Sequence, residues 1–134
     1  NTYVAEVAEV VMENGKPKCQ KMICAIDCGI VVNPIGAKNQ VEGGIIDGLG
    51  HAMYGNFSFE NGKPQQNNFN NYRMIRMSEA PEIEVHFVES TNDPTGLGEP
   101  TLPPAGGALA NAIFNATGKR LYKQPFVNQE EVLG

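Results

Sequence analysis

No apolar run in the 134 residues approaches the ~20 that a bilayer-spanning helix needs. The start of the chain also lacks the basic segment followed by an apolar one that directs secretion. Basic residues are in short supply: 10 Lys and Arg against 15 Asp and Glu leave a formal net charge of −5. Without a basic patch the chain has no electrostatic footprint for nucleic acid or an anionic membrane. Cysteine is scarce and badly spaced for metal. Cys19, Cys24 and Cys28 form no Cys-x-x-Cys pair and have no His close by in sequence, which excludes a local zinc site. Cys24 and Cys28 share strand parity with Ile26, so both are expected to be buried as small hydrophobes. No internal repeat is strong enough to use. An initiator Met is also missing: the chain opens Asn1-Thr2-Tyr3-Val4 and passes straight into strand-like sequence, as expected of a piece of a longer polypeptide.

What is present reads as one domain over residues 1–134, with 41% hydrophobic and 19% charged residues. A chain of this size buries roughly two-thirds of its unfolded surface, enough for a core. Tyr3 to Met12 is apolar and β-branched with Glu6, Glu9 and Glu13 interleaved, which predicts a strand with its glutamates on an exposed face. Asn14-Gly15 marks a turn. Gln20 to Val32 predicts the returning strand, closing a hairpin whose loop is slightly longer than two residues.

Asn33-Pro34 has the form of a helix start, Asn as cap and Pro in the first turn. Val41, Ile45, Gly48, Leu49 and Ala52 then recur as one buried helical face, carrying the helix to about Tyr54. Gly43, Gly44, Gly48 and Gly50 run against that reading, since each costs about 1 kcal/mol relative to Ala inside a helix. Such a sum requires a backbone pressed against another backbone, or against a ligand that leaves no room for side chains. Gln40 lies in the first two turns, at the end that favours anionic groups. Its amide offers a donor and an acceptor together, which suits a pterin, a purine edge or a phosphate equally. His51, later in the same helix, has no ligand partner four residues away and is expected to be structural.

Asn56 to Met77 predicts a second hairpin turning at Asn61-Gly62, with an amide-rich irregular stretch over 65–73 that lines an interface. Ile83-Glu84-Val85-His86-Phe87 alternates as a half-buried strand with His86 on the surface. Thr95-Gly96-Leu97-Gly98-Glu99-Pro100 follows, placing one carboxylate between glycines that admit a close approach and a proline that keeps Glu99 out of the helical region. A last helix opens at Pro103-Pro104 and closes at Gly118, and the tail from Gln124 is expected to be peripheral. The expected fold is α+β: two β-hairpins and a further strand packed with two main helices.

Several blocks occur in the order and spacing of a known family: Ala25-Ile26-Asp27-Cys28-Gly29, Asn33-Pro34, Gln40-Val41-Glu42-Gly43-Gly44-Ile45, Gly48-Leu49 and Gly96-Leu97-Gly98-Glu99-Pro100. With Asn71-Tyr72 and Asn111-Ala112-Ile113-Phe114, they cover nearly the whole chain. The chain resembles the C-terminal part of the molybdopterin-binding large subunit of the xanthine dehydrogenase and aldehyde oxidase family, in the branch of isoquinoline 1-oxidoreductase and membrane-bound aldehyde dehydrogenase. The resemblance implies part of a molybdenum-cofactor-binding domain, with molybdopterin, in its cytosine dinucleotide form, holding molybdenum. It puts the catalytic base at Glu99 and cofactor contacts at Gln40 and Gly98, while the metal itself is held by segments absent here. It further implies oxidation of an aldehyde or N-heterocycle with water-derived oxygen. The implied partners are the N-terminal part of the same subunit, a small subunit carrying iron–sulfur clusters and a cytochrome c acceptor. A periplasmic or membrane-associated location would follow, and the isolated chain would be inactive. Two other readings stay open on the residues alone: a non-catalytic interaction module that uses its helix glycines for packing, and a stand-alone small-ligand binder built on Gln40 and the amide-rich hairpin.

Overall fold

The computed structural model describes residues 1–129. Strand β1 (Tyr3–Glu13) and strand β2 (Lys16–Asp27) form an antiparallel hairpin. Only Asn14 and Gly15 separate them, both with positive φ (52° and 75°), the signature of a primed two-residue turn. The loop is therefore tighter, and β2 starts earlier, than the sequence predicts. A primed turn matches the strand twist, so pairing continues down to Glu13 and Lys16. Glu9 pairs with Lys21 and Val10 with Cys19, which leaves Gln20 as an extra residue in a bulge. At its far end β2 stops at Asp27, short of the predicted Val32. Gly29 turns the chain there with φ 73°, and its N–H donates to Asp27 Oδ1 at 3.1 Å.

Strand β5 (Glu82–Phe87) lies parallel to β2, giving a three-stranded mixed sheet in the order β1-β2-β5. The second hairpin is rudimentary, with strands β3 (Phe59–Glu60) and β4 (Lys63–Pro64) of two residues each around Asn61 and Gly62. The amides that follow bond locally instead of extending the ladder: Asn71 Oδ1 accepts from the N–H groups of Asn67 and Asn68, each at 3.1 Å.

Helix α1 (Pro34–Tyr54) begins as predicted, with the Asn33 side chain accepting from the Gly36 N–H at 3.0 Å. Helix α2 (Leu102–Thr117) ends at Gly118 in the left-handed conformation. It packs on β1 and against α1, so one sheet face is covered and one core forms. Met22, Cys24 and Ile26 from β2, Val41, Ile45 and Leu49 from α1, and Leu109 and Ile113 from α2 meet there. All three cysteines are buried and unbridged. Desolvation pushes the Cys24 thiol up to about 12 and the Cys19 thiol up to about 11, so both stay protonated.

Two further expectations fail. Glu6 shares parity with Val4, Ala8 and Val10, which pack against the core, and so points inward while Val7 is 60% exposed. The tail is not peripheral over the described residues. Phe126 is buried in the core, and the turn Phe126–Asn128 packs against α1. Residues 130–134 of that tail lie outside the described residues.

Candidate functional site

The helix glycines decide how the two ends of the site meet. A Cβ on Gly48 would clash with the Leu102 carbonyl and come within 2.9 Å of the Ala105 Cβ, and one on Gly44 would clash with Thr101 Oγ1. Gly44 and Gly48, one turn apart, thus let α1 lie directly on the entry of α2. Gly50 makes room for Ile75. Gly43 faces open space, so the packing within the chain does not account for it. Contacts within the chain, to a backbone carbonyl at Gly48 and to side chains at Gly44 and Gly50, account for three of the four glycines.

With α1 seated this closely, Gln40 reaches the loop that carries the conspicuous carboxylate. Its Nε2 donates to the Gly98 carbonyl, across 58 positions of sequence. One residue further along α1, the Val41 carbonyl accepts from Thr101 Oγ1 at 3.1 Å. Thr101 is 1% exposed and is the one buried polar residue among the described residues. Glu99 sits between these two tethers. Its backbone carbonyl accepts from the Leu102 N–H at 3.3 Å, while its exposed carboxylate has no partner among the described residues.

The approach to this loop is held at its other end as well. Thr2 Oγ1 lies 2.7 Å from Thr95 Oγ1 and donates to the Gly96 carbonyl. The Thr95 N–H donates to the Cys28 carbonyl and the Ile30 N–H to the Asn92 carbonyl, at 2.9 and 3.0 Å. Gly29 is required here, since a Cβ would collide with the Asp93 carbonyl. Gly96 and Gly98, by contrast, have nothing of this chain within 4 Å of where a Cβ would stand. A cleft of about 290 Å³ opens between this loop and the start of α1, lined by Ile30, Val32, Asn33, Gln40, Thr95 and Leu97 among others.

The remaining predicted residues lie elsewhere. His86 is exposed on β5 and pairs with Glu84 at 2.7 Å. His51 is exposed on α1, 3.6 Å from Asp47. At the far end of α1 a second cleft of about 460 Å³ is lined by Tyr54, Asn71, Arg73 and Glu79 among others. Glu79 accepts from Tyr54 Oη at 3.0 Å and from the Arg76 N–H at 2.7 Å, and pairs with Arg73, whose guanidinium stands 4.0 Å over the Tyr54 ring. Burial alone would raise the Glu79 pKa, but these bonds and the Arg73 charge together hold it below the usual carboxylate range. Tyr54 lies fourteen positions beyond Gln40 along α1, about 20 Å at 1.5 Å each, so the two clefts are separate places. Among the described residues no group of three or more His, Cys, Asp or Glu is placed to hold a metal ion. None of the described helices is long and apolar enough to cross a membrane.

A sequence profile of the molybdopterin cofactor-binding domain matches residues 1–81, which include Gln40. The chain belongs to the molybdopterin cofactor-binding domain family. Among curated relatives it is 43% identical over 122 residues to a membrane-bound aldehyde dehydrogenase of Gluconacetobacter polyoxogenes whose name specifies pyrroloquinoline quinone; the match takes in 91% of this chain and 16% of that one. It is 37% identical to the isoquinoline 1-oxidoreductase subunit beta of Brevundimonas diminuta, over 93% of this chain and 16% of the relative. The aldehyde oxidoreductase of Desulfovibrio desulfuricans superposes on 99% of this chain with a TM-score of 0.85 at 26% identity, and the match covers 16% of that enzyme. This member of the family thus spans about one sixth of the proteins it resembles. The chain has the α+β fold expected from the sequence, and it is shared with that solved aldehyde oxidoreductase.

Sequence reasoning picked out Gln40, Gly98 and Glu99 but missed Thr101 and Thr2. Thr101 carries one legible signal, a hydroxyl two residues past Glu99 at a helix start. Thr2 carries none, because its partners lie 93 and 94 positions away.

Proposed function

We propose that this chain is the C-terminal segment of the large subunit of a molybdenum hydroxylase and supplies the general base, Glu99, to its active site. The observation that carries the reading is the bond from the Gln40 amide to the Gly98 carbonyl. It gathers the proposed cofactor-contacting residue, the open glycine backbone and the carboxylate on one side of α1.

The residues fit a pterin cofactor. Gln40 is exposed, and with one amide N–H given to Gly98 it keeps Oε1 and a second N–H for a pterin edge. Gly96 and Gly98 leave space against their backbone that nothing in this chain fills. Molybdenum carried by molybdopterin, in the cytosine dinucleotide form, supplies a two-electron oxidation of the substrate carbon when bound. The chain's own part is smaller and specific. Gln40 and Gly98 hold the cofactor edge, and Glu99 takes up the proton of the water-derived nucleophile at one carboxylate oxygen. Its flanking glycines allow the carboxylate to come close to the reacting atoms.

The relatives' names support an aldehyde or an N-heterocycle as substrate, and names such as "subunit beta" support assembly with further chains. The remainder of the large subunit, a small iron–sulfur subunit and a cytochrome c acceptor complete the proposed enzyme, in a periplasmic or membrane-associated setting. Residues 1–134 alone are then inactive. In the full cofactor-loaded protein, Glu99→Gln keeps its molybdenum and loses about 10²–10⁴-fold in kcat, as removal of a general base does. Near-normal kcat removes Glu99 from the mechanism.

One observation favours a second reading. Gly44, Gly48 and Gly50 are accounted for by packing within the chain, and Phe57 and Phe59 at the second hairpin and Phe69 on the amide-rich segment are exposed as a binding face would be. A non-catalytic interaction module would show these features. Metal analysis of the assembled protein separates the two: molybdenum at one per chain supports the hydroxylase, and an intact complex without it supports the module. The same analysis tests molybdenum against the quinone in one relative's name.

A further inference from the structure

Glu99 is held on both sides by consecutive residues of one helix. Gln40 holds the Gly98 carbonyl before it, and the Val41 carbonyl holds the Thr101 hydroxyl after it. The two holds differ in kind. Gln40 is exposed and would be shared with the cofactor, whereas Thr101 is buried and touches only this chain. Its hydroxyl is wedged into the space left by the missing Cβ of Gly44, where α1 crosses the start of α2. The carboxylate of Glu99 has no partner among the described residues, so its placement depends on where the backbone of residues 98–101 is fixed. Sidechain freedom with a pinned backbone is what a presented base requires, because small displacements at the reacting centre are costly.

We infer that Thr101 is a positioning residue for Glu99: its hydroxyl, bonded to the Val41 carbonyl in the notch at Gly44, sets the Gly98–Thr101 loop against the cofactor-facing end of α1. This inference rests on the proposed role of Glu99 as base and adds the device that aims it. Thr101 touches neither substrate nor cofactor and acts only through the backbone it pins.

The test compares Thr101→Val, which keeps the shape and removes the hydroxyl, with Thr101→Ser, which keeps the hydroxyl. The first readout needs no cofactor. Hydrogen exchange at the Leu102 amide, whose N–H donates to the Glu99 carbonyl, in the 134-residue chain should quicken about fivefold in Thr101→Val, as expected from losing one buried hydrogen bond, and return to the original rate in Thr101→Ser. The second uses the cofactor-loaded parent protein. There Thr101→Val should lower kcat about 10- to 100-fold with KM and molybdenum content unchanged, and Thr101→Ser should restore it. Unchanged exchange in Thr101→Val, failure of Thr101→Ser to restore it, or loss of molybdenum in step with activity each overturns the inference. Wild-type kcat in Glu99→Gln overturns the base assignment alone; quickened exchange in Thr101→Val then still supports the tether.

Discussion

Replacing Glu6 by Gln should change how the stability of this chain depends on pH. Glu6 lies on the inner face of β1, directly opposite Cys24, with both carboxylate oxygens buried and without a partner among the described residues. No opposite charge among the described residues pairs with it. Val4 and Ala8 flank it on its own strand face, Cys24 is a buried thiol, and α2, packed over β1, contains no titratable residue between Leu102 and Thr117. Desolvation raises its pKa from 4.5 to about 7. Below pH 4.5 the carboxyl is protonated whether the chain is folded or not. Between 4.5 and 7 only the unfolded chain gives up its proton, so stability falls as pH rises, and it levels off above 7. At 1.36 kcal/mol per unit the full shift corresponds to about 3 kcal/mol, and partial contact of the residue with water reduces this to about 2. Urea midpoints taken from pH 4.5 to 8 on both proteins give the assay. Glu6→Gln leaves a buried amide unpaired at every pH, a constant cost, so the informative quantity is the difference between the two curves. That difference should move by about 2 kcal/mol in favour of Glu6→Gln as pH rises through 7. A difference that stays constant from pH 5 to 8 would refute the burial of an unpaired carboxyl at this position.

Gly48→Ala should destabilise the chain by about 1–3 kcal/mol in thermal or urea unfolding, because its Cβ meets the Leu102 carbonyl, a backbone atom that cannot swing aside. Gly43→Ala should be neutral or slightly stabilising in the isolated chain, since nothing of this chain lies within 4 Å of it and Ala is the better helix former; an equal loss at both positions would count against the packing argument. Cys19, Cys24 and Cys28 should resist a thiol reagent in the folded chain and all react after denaturation. Rapid labelling of Cys24 under native conditions would contradict its placement in the core.

Much of the local structure is legible from neighbouring residues. Asn14-Gly15 and Asn61-Gly62 read as turns because both positions of each pair accept positive φ, and all four do so. The start of α1 at Asn33-Pro34 and the end of α2 at Gly118 follow equally from cap chemistry. Alternation correctly puts Ile83, Val85 and Phe87 inward and His86 outward. Glu6 shows the limit of that reasoning. Its parity with Val4 and Ala8 was visible, but a carboxylate is expected outside, and only the placement of α2 over β1 shows otherwise. Likewise the tail from Gln124 looked peripheral because Phe126 is an isolated apolar residue with no periodicity to mark a buried face.

By itself, then, the sequence determined the elements, their caps and turns, the two helical faces and the presence of a carboxylate flanked by glycines. These depend on contacts within a few positions along the chain, where residue type controls φ, ψ and parity. Only the tertiary structure decided that β5 pairs in parallel with β2, that Gly44 and Gly48 face α2 and not a ligand, and that Gln40 and Val41 grip the loop on either side of Glu99. Those contacts join residues about sixty positions apart. Their geometry is set by how closely two helix backbones approach, and the short-range patterns of the sequence do not encode that distance.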